Sequence, residues 1–231
     1  MLDQAIQALR SYDWGKDYES IKPIEDAVVA THGDVESVKS LEEKLAAVLS
    51  SDASRAAKDY VCRQLRIIGT AASVPAIASL LTDPELSHMA RYALEGNPAP
   101  EAGATLRDAL STVDGELKIG IISSIGDRQD NASVEALGSL VGKSDVAIAR
   151  AAATALGDIR TVEASQTLAN CNSSDASVNA AVADAALSCA ESLLASGNKA
   201  AALSVYKKYS TAEQKHVQIA AKRGMLAALA K

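Results

Sequence analysis

Apolar residues recur along this chain as pairs twelve positions apart: Leu65 and Ile77, Leu94 and Leu106, Ile125 and Leu137, Leu156 and Leu168. The first members are separated by 29, 31 and 31 residues. A period near 30 in an alanine-rich chain predicts stacked helical hairpins, each burying its apolar face only against its neighbours. Residues 146 to 169 show one unit. Val146, Ala149, Ala153 and Leu156 fall at helical spacing, Gly157 reads as the end of that helix, and Thr161 reads as the cap of a second helix in register through Ala164, Leu168 and Ala169. The preceding unit repeats the scheme with Leu117, Ile121, Ile122 and Ile125, the turn GDRQDN, then Val134, Leu137, Leu140 and Val141. Earlier still, Tyr60, Leu65 and Ile68 precede Gly69, while Val74, Ile77, Leu80 and Leu81 follow it. Pro98 and Pro100 forbid a continuous helix between Leu94 and Leu106. Gly142-Lys143-Ser144-Asp145 reads as a turn between repeats.

The pattern loosens toward both ends. Val29 and Leu41 bracket THGDVESVKS as a divergent first pair, so a first repeat is expected from about Tyr18. Leu187 keeps the phase 31 residues after Leu156, but its helix runs on through Leu193 and Leu194. Ala190, Leu193, Gly197, Ala202 and Tyr206 are spaced like the small, bulky, turn, small and aromatic positions of a tetratricopeptide hairpin. A last helix, His216 to Ala230, is expected to cap the stack.

The phrases RAAATALGD at Arg150 to Asp158 and IGTAASVPAIASLL at Ile68 to Leu81 resemble bacterial HEAT repeats of the phycobilisome-lyase type, over about residues 18 to 187. SHMARYALEGNPAPEAGATLRDAL from Ser87 and CAESLLASGNKAAALSVYKKY from Cys189 resemble a group of bacterial HEAT-repeat proteins whose last repeat is tetratricopeptide-like. Members of that group often carry secretory signals and extra domains. The expected fold is all-α, a right-handed HEAT-like α-solenoid of about six antiparallel helix pairs forming one domain over residues 1–231. Residues 1–50 would be a divergent capping repeat, 51–175 HEAT-like repeats, and 176–231 a tetratricopeptide-like hairpin with a capping helix.

Repeats of this kind commonly place an Asp five residues after the first anchor and an Arg seven after it. Here the first slot holds Asp34, Thr70, Ala99, Asp130 and Thr161, and the second holds Glu36, Ala72, Glu101, Ala132 and Glu163. No Arg ladder can form, so layers are expected to be held mainly by apolar packing. Glu36, Glu101 and Glu163 become a row of acids near second-helix N-termini. They serve either the helix dipoles and caps or an acidic ridge for a basic partner.

Composition narrows the function. Phenylalanine is absent and aromatics are 3% of the chain, so the core must be built from Ala, Leu, Val and Ile. The net charge of −6, from 29 acidic and 23 basic residues, disfavours nucleic acid as a partner. Residues 199 to 231 are the exception, with seven Lys and Arg against Glu213 alone; these complement helix C-termini or form a basic docking patch. Cys62, Cys171 and Cys189 form no Cys-x-x-Cys and read as small buried hydrophobes, with a Cys171 to Cys189 disulfide left open. Residues 1 to 30 show no charged segment leading into an apolar one, and no run reaches the roughly 18 apolar residues of a membrane span. The expectation is a soluble chain without membrane insertion, cytoplasmic, or periplasmic if a signal was removed.

Candidate chemistry is sparse. His32, His88 and His216 lie in different repeats and none precedes Glu, unlike the paired His-Glu motifs of the helical-repeat hydroxylases. With no HExxH, Gly-x-Ser-x-Gly or phosphate-binding loop, no catalytic residue, cofactor or metal is expected. Tyr12, Trp14 and Tyr18 place three of seven aromatics within seven positions, either sealing the first repeat or anchoring a partner. The reading is a noncatalytic scaffold that binds a protein or peptide on its solenoid surface, with Trp14, Tyr18, Glu36, Glu101 and Glu163 as candidate contacts. The resemblance supplies one alternative, a bilin lyase-like protein handling a linear tetrapyrrole. A nucleic-acid-binding helical repeat would need a basic groove, whereas residues 51 to 198 carry 11 basic and 18 acidic side chains.

Overall fold

The structure is a computed structural model describing residues 1–143 and 145–230, apart from the Lys143 side chain. Two compact units divide the chain, Met1–Ile121 and the remainder from Ile122. The first contains α1 (Leu2–Leu9), α2 (Pro23–Ala30), α3 (Val35–Leu49), α4 (Arg55–Ile68), α5 (Val74–Ala78), α6 (Ser87–Gly96), α7 (Pro100–Ala109) and the start of α8 (Gly115–Asp127). The second contains the end of α8, then α9 (Val134–Lys143), α10 (Val146–Ile159), α11 (Val162–Asn170), α12 (Ala176–Ala195), α13 (Lys199–Tyr209) and α14 (Lys215–Leu229). The described residues contain no strand. The fold is an all-α solenoid.

Short polar side chains set the helix starts. Asp34 accepts from the Ser37 amide at 3.2 Å, Ser54 from Ala57 at 3.1 Å, Asp145 from Ile148 at 3.0 Å and Thr161 from Ala164 at 3.2 Å. Each satisfies an amide that the first turn leaves without an intrahelical partner. Proline opens α2 and α7 and lies second in α5, where its missing N–H costs nothing. All eight residues of the four twelve-residue pairs are fully buried, and Leu187 is buried in phase with them. First helices pack on first helices and second on second: α2 on α4 and α4 on α6, α3 on α5 and α5 on α7, then α10 on α12, α9 on α11 and α11 on α13.

The first pair is displaced from its expected phase. Val29 is 75% exposed, and Val28 is the buried residue facing Leu41 across a turn with Gly33 at φ +85°. Residues before Tyr18 are also structured, since α1 buries Ala5 and Leu9 against α2 and Lys44 bonds Asp3 at 2.6 Å. Gly157 does not end its helix. α10 continues to Ile159 and closes at Arg160, in the left-handed region at φ +58°, as Gln129 does after α8 at φ +52°.

Gly126 and Gly157, one residue after successive first anchors, are close-approach positions. A Cβ on either would lie 2.9 Å from the Cα of Ala155 or Ala185 on the next first helix. In the first unit the equivalent positions are Arg66 and Glu95, which form an ion pair at 3.6 Å.

Polar contacts join the layers as well as apolar packing. Glu42, 2% exposed, reaches from α3 to the start of the next second helix, accepting from the Thr70 amide at 2.6 Å, the Thr70 hydroxyl at 2.9 Å and the Ser73 amide at 3.1 Å. Asn97 then donates to the Thr70 carbonyl at 2.9 Å. In the second unit, Thr161 donates to Asn131 at 2.7 Å and Gln129 to the Asp158 carbonyl at 3.2 Å. A mixed ladder of acids, amides and hydroxyls thus occupies the edge where an Arg ladder is missing.

At the C-terminal side, Gly197 at φ +85° turns α12 into α13, with Ala190, Leu193, Ala202 and Tyr206 buried between them. The Tyr206 ring lies over Gly224 of α14 so closely that a Cβ there would sit 2.2 Å from the ring. α12 is long and apolar enough to cross a membrane by length and composition alone, yet half of its apolar window is buried inside the protein and it packs against α10, α11, α13 and α14. It is the central helix of its unit.

Candidate functional site

The second helices carry a periodic polar position that the anchor pattern does not reveal. Two residues after each second anchor stand Glu43, Ser79 and Asp108 in the first unit and Ser139 and Asn170 in the second, every one exposed. A residue two positions beyond a buried anchor is rotated about 200° around the helix axis, so it points away from the core. Nothing about packing requires these residues to be polar in every repeat beyond their contact with solvent.

Open grooves flank three of these positions. Between α9 and α11 runs a groove of about 570 Å³, bordered by Glu135, Ser139 and Gly142 on one side and Asn170, Cys171 and Asn172 on the other. Its floor is where the helices come closest, since a Cβ on Gly138 would lie 2.4 Å from the Thr167 methyl. Between α3 and α5 lies a smaller groove of about 300 Å³, lined mostly by Ala46, Ala47, Ala72 and Ala76 with Glu43 at its edge. A third, about 470 Å³, lies between the first helices α10 and α12 and includes Arg150, Asp158 and Asp184. Burial raises the Asp158 carboxyl above its usual range, opposed by Arg160 and reinforced by Asp127.

The α9–α11 groove offers hydroxyl, amide and backbone groups with one carboxylate. It suits hydrogen bonding to a polypeptide backbone. Its thiol is a poor nucleophile at neutral pH, because burial raises the Cys171 pKa and Lys208 only partly offsets this. Among the described residues all three cysteines are free, so Cys171 and Cys189 are not paired; burial pushes Cys62 up to about 12 and Cys189 to about 11. No group of three or more His, Cys, Asp or Glu among the described residues is arranged to hold a metal ion. His32, His88 and His216 are exposed on separate elements.

The residues singled out by sequence do not converge on one place. Trp14 is 54% exposed with the Arg55 guanidinium 5.6 Å from its ring, and Tyr18 is 42% exposed. Tyr18 donates to Glu25 at 2.5 Å, and holding that proton raises the phenol to about 12. Tyr12 packs on Tyr60 with ring centroids 6.4 Å apart, and Leu9, Ile21 and Ile24 are fully buried. Glu36, Glu101 and Glu163 are exposed in the first turns of α3, α7 and α11, where the helix dipole favours them. Two lysines of the basic C-terminal segment meet helix ends, Lys208 bonding the Ala169 carbonyl of α11 and Lys199 the Ala230 carbonyl at 3.0 Å.

The sequence profile of HEAT repeats matches residues 103–188. That segment is similar to HEAT repeats. The HEAT-like segment includes α9 to α11 and most of α12, and hence the groove just described. No curated protein matches the chain. Among solved structures, a designed armadillo repeat protein is similar at 16% identity over 99% of this chain and 100% of that one, with a TM-score of 0.42. Human deoxyhypusine hydroxylase in complex with glycerol is similar at 15% identity over 98% and 95%, with a TM-score of 0.41. Neither transfers an activity or a partner to this chain.

Proposed function

We propose that the chain is a noncatalytic scaffold that binds a protein or peptide along its second helices. The observation that carries this reading is the exposed polar residue repeated two positions after every second anchor, beside open grooves on α3–α5 and α9–α11. Such a surface contributes affinity through pre-organised area spread over several repeats, not through one deep pocket. The HEAT segment suits this use, and the α12–α13 hairpin, with Ala190, Leu193, Gly197, Ala202 and Tyr206 at tetratricopeptide-like spacing, extends the same architecture.

The test is selection of binding peptides from a displayed library on the intact chain, followed by titration against a Gly142→Arg variant. A Cβ on Gly142 meets nothing within 4 Å, so the arginine enters the α9–α11 groove without disturbing the fold. Peptides bound there should lose at least about tenfold in affinity, equivalent to roughly 1.4 kcal/mol. They should bind an Arg150→Ala variant, altered in the α10–α12 groove, as they bind the wild type. Equal binding to the Gly142→Arg chain rejects this groove as the binding surface.

A further inference from the structure

Two unpartnered apolar surfaces of opposite charge surroundings remain after the second-helix face is accounted for. The first is on α14. Val217, Ala221 and Ala228 are buried against the unit, while Ile219, Leu226 and Leu229 are 40%, 72% and 63% exposed. Ile219 and Leu226 are separated by close to two full turns and lie nearly opposite the buried row, with Lys215, Lys222 and Arg223 on the same outer arc. The outer face of α14 thus presents an aliphatic row bordered by cations.

The second surface is a groove of about 570 Å³ in the first unit, formed by the α2–α3 turn, the end of α4 and Pro98. Val29 and Ile67 on its wall are 75% and 69% exposed, and Val38 and Ile68 are half-buried. Its charged surroundings are acidic: Asp26 on α2, Asp34 and Glu36 where α3 begins, and Glu101 three residues after Pro98. Against these stand Lys39 and His32, while Arg66 is engaged with Glu95 at 3.6 Å and stacked on Tyr92 at 4.2 Å. The wider charge distribution agrees. Residues 1–50 hold ten acidic and five basic side chains, whereas 199–231 hold one acidic and seven basic.

We infer that the occupant of this groove is a second copy of the chain, whose α14 inserts Ile219, Leu226 and Leu229 between Val29 and Ile67 while Lys222 and Arg223 face Glu36 and Glu101. The contact is heterologous, joining different surfaces on the two copies, so it leaves one groove and one α14 free for further copies. Its charged rim is solvent-exposed, and salt therefore weakens it.

Sedimentation equilibrium tests the inference, using the whole chain and two surface variants, Ile67→Glu and Leu226→Glu. Circular dichroism establishes that each variant retains the wild-type helix content, and two further exposed substitutions, Val29→Glu and Leu229→Glu, stand in for either that does not. The wild type should show an average mass rising with concentration at low salt and falling toward monomer at high salt. Each variant alone should stay monomeric. An equal mixture of the two should form a dimer and nothing larger, because one chain keeps a working groove and the other a working helix. A wild type monomeric at millimolar concentration overturns the inference. So does a variant that associates alone, and so does a mixture that remains monomeric, since an interface between identical surfaces would behave that way.

Discussion

Replacing Gly157 by alanine tests whether the layers of the second unit are set by backbone contact. The new Cβ would lie 2.9 Å from both the Cα and the Cβ of Ala185, where ordinary contact begins at 3.4 Å. Neither atom can rotate away. α10 and α12 must therefore part by about 0.5–1 Å, a form of overpacking that costs about 1–3 kcal/mol. Higher helix propensity returns up to about 1 kcal/mol, so the expected net loss is about 1–2 kcal/mol, as contacts along the α10–α12 interface loosen together. Gly142 supplies the control, because its Cβ would meet nothing within 4 Å. Gly142→Ala should raise stability by about 0.5–1 kcal/mol. Guanidinium unfolding followed by far-ultraviolet circular dichroism compares both with the wild type. If Gly157→Ala is as stable as the wild type or more so, the close approach does not constrain the fold and the reasoning is wrong.

Glu42→Ala removes the acceptor of the Thr70 and Ser73 amides and should destabilise the first unit by roughly 2–4 kcal/mol, with Glu42→Gln intermediate, measured by the same unfolding assay; a loss below about 0.5 kcal/mol would refute its role as a buried cap. Arg66→Ala removes the ion pair to Glu95, the stacking on Tyr92 and the cover over Gly96, with an expected cost of about 1–2 kcal/mol in thermal or chemical unfolding. The cysteines give an alkaline prediction. Cys62 and Cys189 hold their protons to about 12 and about 11 when folded, against an ordinary thiol value of 9.0, so the unfolded chain loses protons first and the unfolding midpoint should fall as pH rises from 9 toward 11. Replacing Cys62 with Val should flatten that slope. A thiol reagent at mildly alkaline pH should modify half-buried Cys171 well before buried Cys62 and Cys189, as mass spectrometry of peptides will show; equal rates would contradict their burial.

Local signals located most helices and nearly all of the central core. The twelve-residue spacing identified Leu65, Ile77, Leu94, Leu106, Ile125, Leu137, Leu156 and Leu168, because burying one face of each helix in a hairpin imposes a period visible in a single strand of letters. Thr161 and Gly197 were legible for a similar reason, since a cap and a left-handed turn depend on neighbouring residues. The polar positions along the second helices were present in the same register but hidden, because exposed polar residues are the ordinary background of any helix. Their meaning emerges only beside the grooves.

Contacts between layers were not legible. Gly157 has the same local signature as a helix stop, and only Ala185, 28 residues later, makes it a packing position. Val28 and Val29 are equivalent by hydropathy, and the turn through Gly33 decides which faces Leu41. Glu42 looks like a solvated acid until α5 brings two amides to its carboxylate. The sequence by itself determined the repeat, the four central anchor pairs and the Thr161 cap, all of which rest on interactions within a helix or a hairpin. The tertiary structure decided how close successive layers come, which polar groups join them and which apolar residues stay uncovered, because those depend on side chains roughly thirty positions apart meeting at ångström precision.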